Sequence, residues 1–182
     1  MERYFTFWRR LGAILFDSFF LGIISYSILS NIAPYYSSAN LIWTALSIII
    51  TILYNVLLTG LYGQTIGKII MGIKVLDVGE QHVIGIKRAI YRESIYIFVE
   101  ILGLGILIYE VITNGAATQI SESVEGVLET TTFLWGALEL ATMLFNPRRR
   151  ALHDFLASSV VISLRGQRFD QHYEQLERQR TG

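Results

Sequence analysis

The chain has 182 residues, with fifteen Lys plus Arg and fifteen Asp plus Glu, so its formal net charge is zero. Charged residues make up 16%, against about 25% in an average soluble domain. Balanced charge argues against an electrostatic nucleic-acid binder. The absence of cysteine excludes a disulfide framework, a thiolate metal site and a cysteine nucleophile. The three histidines, His82, His153 and His172, are too scattered to make a zinc site.

The distribution of charge says more than its sum. From Ser18 to Gly67 there is no charged residue in fifty positions. Two apolar runs, 11–32 and 41–62, fall in or beside this stretch. Each has the ~20 residues that cross a ~30 Å hydrocarbon core. Between them NIAPYYSSAN reads as a short turn with tyrosines at headgroup level. A signal peptide is not expected at the N-terminus, because the first run is too long, carries Asp17 and lacks a small-residue cleavage site. Residues 63–92 leave the membrane. Within them IIMGIKVLDV predicts a strand, and Gly79–Glu80 a hairpin turn before QHVIG. Two further runs, 94–112 and 127–145, are shorter and carry acids. Pro147 ends the last one. RRALHDFLA then has helical spacing, and SSVVISL is rich in β-branched residues. The polar tail 165–182 is charge-mixed.

The expected fold class is therefore an all-α membrane protein. It is a bundle of four transmembrane helices with a small cytoplasmic β-hairpin or sheet and a short interfacial helix. The membrane domain would cover 1–164, with a cytoplasmic segment at 63–92 and a closing segment at 146–164. With four spans, all fifteen Lys and Arg fall on one side, which puts both termini in the cytoplasm.

Three motifs carry a family resemblance. FWRRLGAILFD holds Arg10 and Asp17, GQTIGKIIMGIKVLD follows the second run, and RRRALHDFLASSVVI holds Asp154. Together they resemble the RDD family of bacterial and archaeal membrane proteins, named for one Arg and two Asp. The resemblance runs from about residue 5 to 164. It implies a multi-pass cell-membrane protein and points, less firmly, to sodium–proton exchange. Glu100 and Glu139 lie beyond the family pattern.

Counted inward from the cytoplasmic ends, Asp17, Asn55, Glu100 and Glu139 each lie roughly 9–11 Å deep at 1.5 Å per residue. Thr51 shares a helical face with Asn55, four positions apart. Charged groups facing lipid cost several kcal/mol, so these side chains should point inward. Two readings follow. In one, Asp17, Glu100 and Glu139, with oxygens of Asn55 and Thr51, bind Na⁺ or H⁺ in competition. In the other, Arg10, Arg92 and Arg149 or Arg150 extend to Asp17, Glu93 and Glu100 as an ion-pair lattice that fixes helix order. Asp154 is expected to pair with Arg10, Arg88 or Arg92. His153 is expected either to be exposed at the interface or to make a pH-sensitive contact there. Glu122, Glu125 and Glu129 are expected in an outer loop.

No G-x-S-x-G, P-loop or H-E-x-x-H occurs, so enzymatic activity is not expected. Nor is a metal site or a cofactor beyond a transported Na⁺ or H⁺. The expected partners are the bilayer and either further copies of the chain or another membrane protein, which this one would assist or regulate.

Overall fold

The computed structural model describes residues 2–32, 39–114 and 119–164. The turn after the first apolar run lies mostly outside the described residues. So do the side chains of Glu122 and Glu125, and the tail.

A 3-10 turn, Glu2–Tyr4, precedes α1 (Phe7–Ile32) and α2 (Ala39–Tyr62). A one-turn helix α3 (Ile66–Ile70) and strand β1 (Ile73–Asp77) follow. Then come α4 (Gly85–Asn114), α5 (Gln119–Phe145), the short α6 (Leu152–Leu156) and β2 (Ser159–Ser163). The helices run past the apolar segments at one or both ends. α4 begins nine residues before the expected span, because hydropathy marks only the apolar part, whereas KRAIYRES continues the same helix.

α1, α2 and α4 are long and apolar enough to cross a bilayer, with mean hydropathies of 1.8, 2.0 and 2.2 over their spans. Their large apolar side chains point outward, as at Phe19 and Ile112. A bilayer gives such a surface apolar surroundings. α5 also turns Phe133 and Phe145 outward, but Glu129 and three consecutive threonines interrupt its apolar run.

The tightly packed core lies at one end of the bundle, around the sheet. β1 and β2 pair antiparallel, with Ile73 opposite Ser163, Val75 opposite Val161 and Asp77 opposite Ser159. Ile73, Val75 and Val161 pack on Ala13, Val56 and Ala89 of the helices. Leu76, Val160 and Ile162 face the other way, against Tyr4 and Val83. Burial on both faces suits the unbroken β-branched run of β2. The outer edge of β1 is also covered: the Val75 N–H donates to the Gly63 carbonyl, and Gln64 Nε2 donates to the Ile73 carbonyl.

The expected hairpin does not form. QHVIG returns from the turn with one backbone bond, Asp77 N–H to the His82 carbonyl, and then α4 starts at Gly85. Too few residues separate turn and helix for a second strand, and β2 takes its place.

The segment after α2 also departs from expectation. It turns back at Gly63, whose φ is +72°, a conformation that favours glycine. α3 then docks on α1. A side chain at Gly67 would land on the Ala13 carbonyl oxygen and the Asp17 carboxylate.

Candidate functional site

Asp17 is where α1 meets this reversal. Its Oδ1 accepts from Tyr54 Oη at 2.6 Å and from the Gly67 N–H at 2.8 Å. Its Oδ2 accepts from Thr65 Oγ1 at 2.5 Å. Tyr54 Oη also accepts from the Ile66 N–H. The buried carboxylate thus fastens α2, α3 and α1 together without an arginine.

Asp154 is a second and larger junction. It is wholly buried on α6. Oδ2 accepts from Arg10 Nη1 at 2.5 Å and from the Ala151 N–H at 3.1 Å, the latter bond closing the first turn of α6. Oδ1 accepts from Ser159 Oγ and lies 3.2 Å from Arg92 Nη2. Burial alone would raise this carboxyl, but the Arg10 and Arg92 guanidiniums hold it well below the usual carboxylate range. Arg10 donates its remaining bonds to Thr6 Oγ1 and the Arg149 carbonyl. One carboxylate therefore joins α1, α4, α6 and β2.

His153 is largely buried rather than exposed. Its Nδ1 lies 2.5 Å from Glu139 Oε1, and its Nε2 lies 2.7 Å from Arg92 Nη2. Tyr96 donates to the other oxygen of Glu139 at 3.4 Å.

Above these junctions a cavity of about 590 Å³ opens between α1, α2, α4 and α5. Asp17, Thr51, Asn55, Glu100 and Glu139 all line it. They do not converge on one point: among the described residues, no three acidic or histidine side chains stand close enough to hold a metal ion. Asp17 and Glu139 have their lone pairs engaged by the donors above. Glu100 has no hydrogen-bond or ion-pair partner among the described residues. Asn55 donates Nδ2 to the Thr51 carbonyl, which leaves its Oδ1 free to accept.

Basic groups reach the same space. Lys68 Nζ donates to Thr59 Oγ1 at 3.1 Å. Burial in the cavity wall, with Arg92 nearby, pushes its ammonium down to about 8. Arg92 is 5% exposed, and its Nε and Nη1 have no hydrogen-bond partner among the described residues.

The expected ion-pair lattice takes a different form here. Arg10 and Arg92 go to Asp154, not to Asp17, Glu93 or Glu100. Arg149 donates to the Leu144 carbonyl and lies over the Phe5 ring. Arg150 donates to the carbonyls of Ser159 and Asp154 and stacks on Phe155. Both are within reach of backbone carbonyls that end α5 and α6, and no carboxylate lies beside them. Glu93 lines the cavity without an ion pair among the described residues.

Sequence reasoning missed Tyr54, Thr65 and Lys68. Thr65 is the N-cap of α3, accepting from the Lys68 N–H, and a Thr before a short helix was a legible signal. Nothing local says that its hydroxyl meets a carboxylate 48 positions earlier.

The sequence model of the RDD family matches residues 4–158. The chain belongs to the RDD family. No curated protein and no solved structure matches it. Arg10, Asp17 and Asp154, which carry the resemblance in the sequence, fall at the two junctions of this RDD protein: Arg10 and Asp154 bond to each other, and Asp17 holds the reversal after α2. Glu100 stands apart from both, and with Asn55 and Thr51 it offers oxygen to a hard cation or a proton.

Proposed function

We propose that this RDD protein exchanges a monovalent cation, Na⁺ in the first instance, for protons across the cell membrane. In this reading α5 is the fourth span, all Lys and Arg face the cytoplasm, and both termini lie there. Glu100 is the exchanging carboxylate, with Asn55 Oδ1 and the Thr51 hydroxyl completing its oxygen shell. One observation carries the reading. Of the four acids that line the cavity with Asn55 and Thr51, Asp17 and Glu139 are engaged by donors, whereas Glu93 and Glu100 have no hydrogen-bond or ion-pair partner among the described residues, and Glu100 lies two helical turns further along α4. A carboxylate at this depth must take up a proton or a cation to stay there, and competition between the two couples their movements. Four helices enclose little pathway, so the working unit is a homo-oligomer.

The test is Na⁺- or Li⁺-dependent dequenching of a pH dye in proteoliposomes. Glu100→Gln should abolish the signal while the protein still reconstitutes. Undiminished flux in that variant would overturn the assignment of Glu100.

A second reading draws on a different observation: the family-motif residues fasten elements together and leave the cavity centre to others. It makes the chain a non-transporting subunit that assists or regulates another membrane protein, such as a membrane protease or a stress-response component. It expects no flux and a stable co-purifying partner.

A further inference from the structure

Arg92 and His153 compete for one oxygen. Arg92 Nη2 lies 3.2 Å from Asp154 Oδ1, and His153 Nε2 lies 3.5 Å from the same atom. The two rivals also touch each other, Nη2 to Nε2, at 2.7 Å. A guanidinium nitrogen can only donate, so Nε2 accepts and the imidazole carries its proton on Nδ1. That proton points at Glu139 Oε1, 2.5 Å away. His153 is therefore held neutral, in one tautomer, between Arg92 and Glu139.

Adding a proton to Nε2 destroys this arrangement. The new N–H cannot face the Arg92 donor, and two cations would then meet at contact distance. The imidazolium has better partners in place, with Glu139 on Nδ1 and Asp154 Oδ1 beside Nε2. The charged groups around the exchange come from every neighbouring element, and Glu93, next to Arg92 on α4, lines the same cavity. α6 brings Asp154, α5 brings Glu139 and α4 brings Arg92 and Tyr96. α1 adds Arg10, which stays on Asp154 Oδ2, and α3 adds Lys68 across the cavity. β2 offers only the Ser159 hydroxyl. Arg92 has somewhere to go, because its Nε and Nη1 are already unpartnered in a residue that lines the cavity.

We infer that proton uptake by His153 hands Asp154 Oδ1 from Arg92 to the imidazole and releases the Arg92 guanidinium into the cavity. Acid on the sheet side of the membrane then places a positive charge near Glu100 and disfavours a cation there. The bond exchange stands apart from the transport reading; its effect on flux rests on that reading.

The experiment is a pH titration of the full-length protein in nanodiscs with ¹⁵N-labelled histidine and arginine. The chain has three histidines, and His153→Gln and His153→Asn identify the signal. At alkaline pH the signal should be that of the Nδ1–H tautomer. On acidification it should convert to imidazolium. The Arg92 side-chain signal, identified with Arg92→Lys, should shift at the same midpoint. It should stay fixed in the His153 variants. An Nε2–H tautomer at alkaline pH, or an Arg92 signal that moves without His153, overturns the inference.

In proteoliposomes, wild-type flux should fall on acidifying the sheet side more steeply than in His153→Gln, by up to about tenfold per pH unit. Identical profiles in an active exchanger overturn the gating. If no variant and no wild type carries flux, the transport reading fails, and the resonances still decide the bond exchange.

Discussion

At the sheet end, buried polar side chains bond to one another in two clusters, one on Asp154 and one on Asp17. Asp154 takes donors from Arg10, Ala151 and Ser159 with Arg92 beside it, and Asp17 takes three more from Tyr54, Thr65 and Gly67. In the cavity the polar side chains are of the same kinds but remain partly unsatisfied: among the described residues Glu100 has no hydrogen-bond or ion-pair partner, and Arg92 keeps two idle donors. The contrast separates fastening from function. A buried group whose bonds are all made holds elements in place and resists change. A group left incomplete in a cavity retains free energy to spend on a ligand, a proton or a rearrangement.

Asp154→Asn should have the largest effect. It leaves Arg10 and Arg92 facing a neutral amide in a fully buried site, and breaking a buried pair in this way costs about 3–5 kcal/mol. A thermal melt in detergent would read this as a large fall in Tm, and an unchanged Tm would break the comparison at its strongest point. Acid should mimic the substitution. The Asp154 carboxyl is held below its unfolded value, so its contribution is fully present above the ordinary carboxylate range. It is lost as pH falls through that range toward the folded value.

Gly67→Ala should come next. The added carbon meets the Ala13 carbonyl and the Asp17 carboxylate, and overpacking of this kind costs about 1–3 kcal/mol. Its Tm should fall less than that of Asp154→Asn. A Tm equal to wild type would mean that α3 does not dock as described.

Lys68 gives a smaller, pH-dependent effect of opposite sign. Its folded value of about 8 lies below its ordinary 10.5, so burying the charged form costs stability below about 8. That cost is relieved as pH rises from the folded value to the unfolded one, and stability should increase over this window. Lys68→Met should flatten that rise in melts taken across the window. Glu100→Gln should change stability least, within about 0.5 kcal/mol, because no bond is lost. A marked fall in its Tm would show Glu100 to be a fastener and undo the contrast.

Much of the fold was legible. Fifty uncharged positions and two long apolar runs point to a membrane protein, and the helices appear where those runs lie. α6 and β2 follow from the helical spacing of RRALHDFLA and the β-branched run after it. The depth count that grouped Asp17, Asn55, Glu100 and Glu139 named residues that line one cavity. Their separate roles were not legible. Periodicity gives the face of a helix and rise gives depth, but neither says which neighbour donates. Asp17 looked like Glu100 until α3 folded back to supply Thr65 and Gly67. His153 looked exposed because nothing local shows that α5 turns Glu139 back onto it, 14 positions earlier, or that α4 brings Arg92 from 61 positions away.

The amino-acid order alone determined what each segment is, since helical spans, β-branched strands and turn residues are set by neighbours a few positions away. The tertiary structure decided what each polar side chain is for. The pairing of β1 with β2 and the competition of Arg92 with His153 join residues more than sixty positions apart, and the reversal at Gly63 joins α3 to Asp17, 48 to 50 positions earlier. Hydrogen bonds and ion pairs act over about 3 Å, and only the folded chain brings those atoms that close.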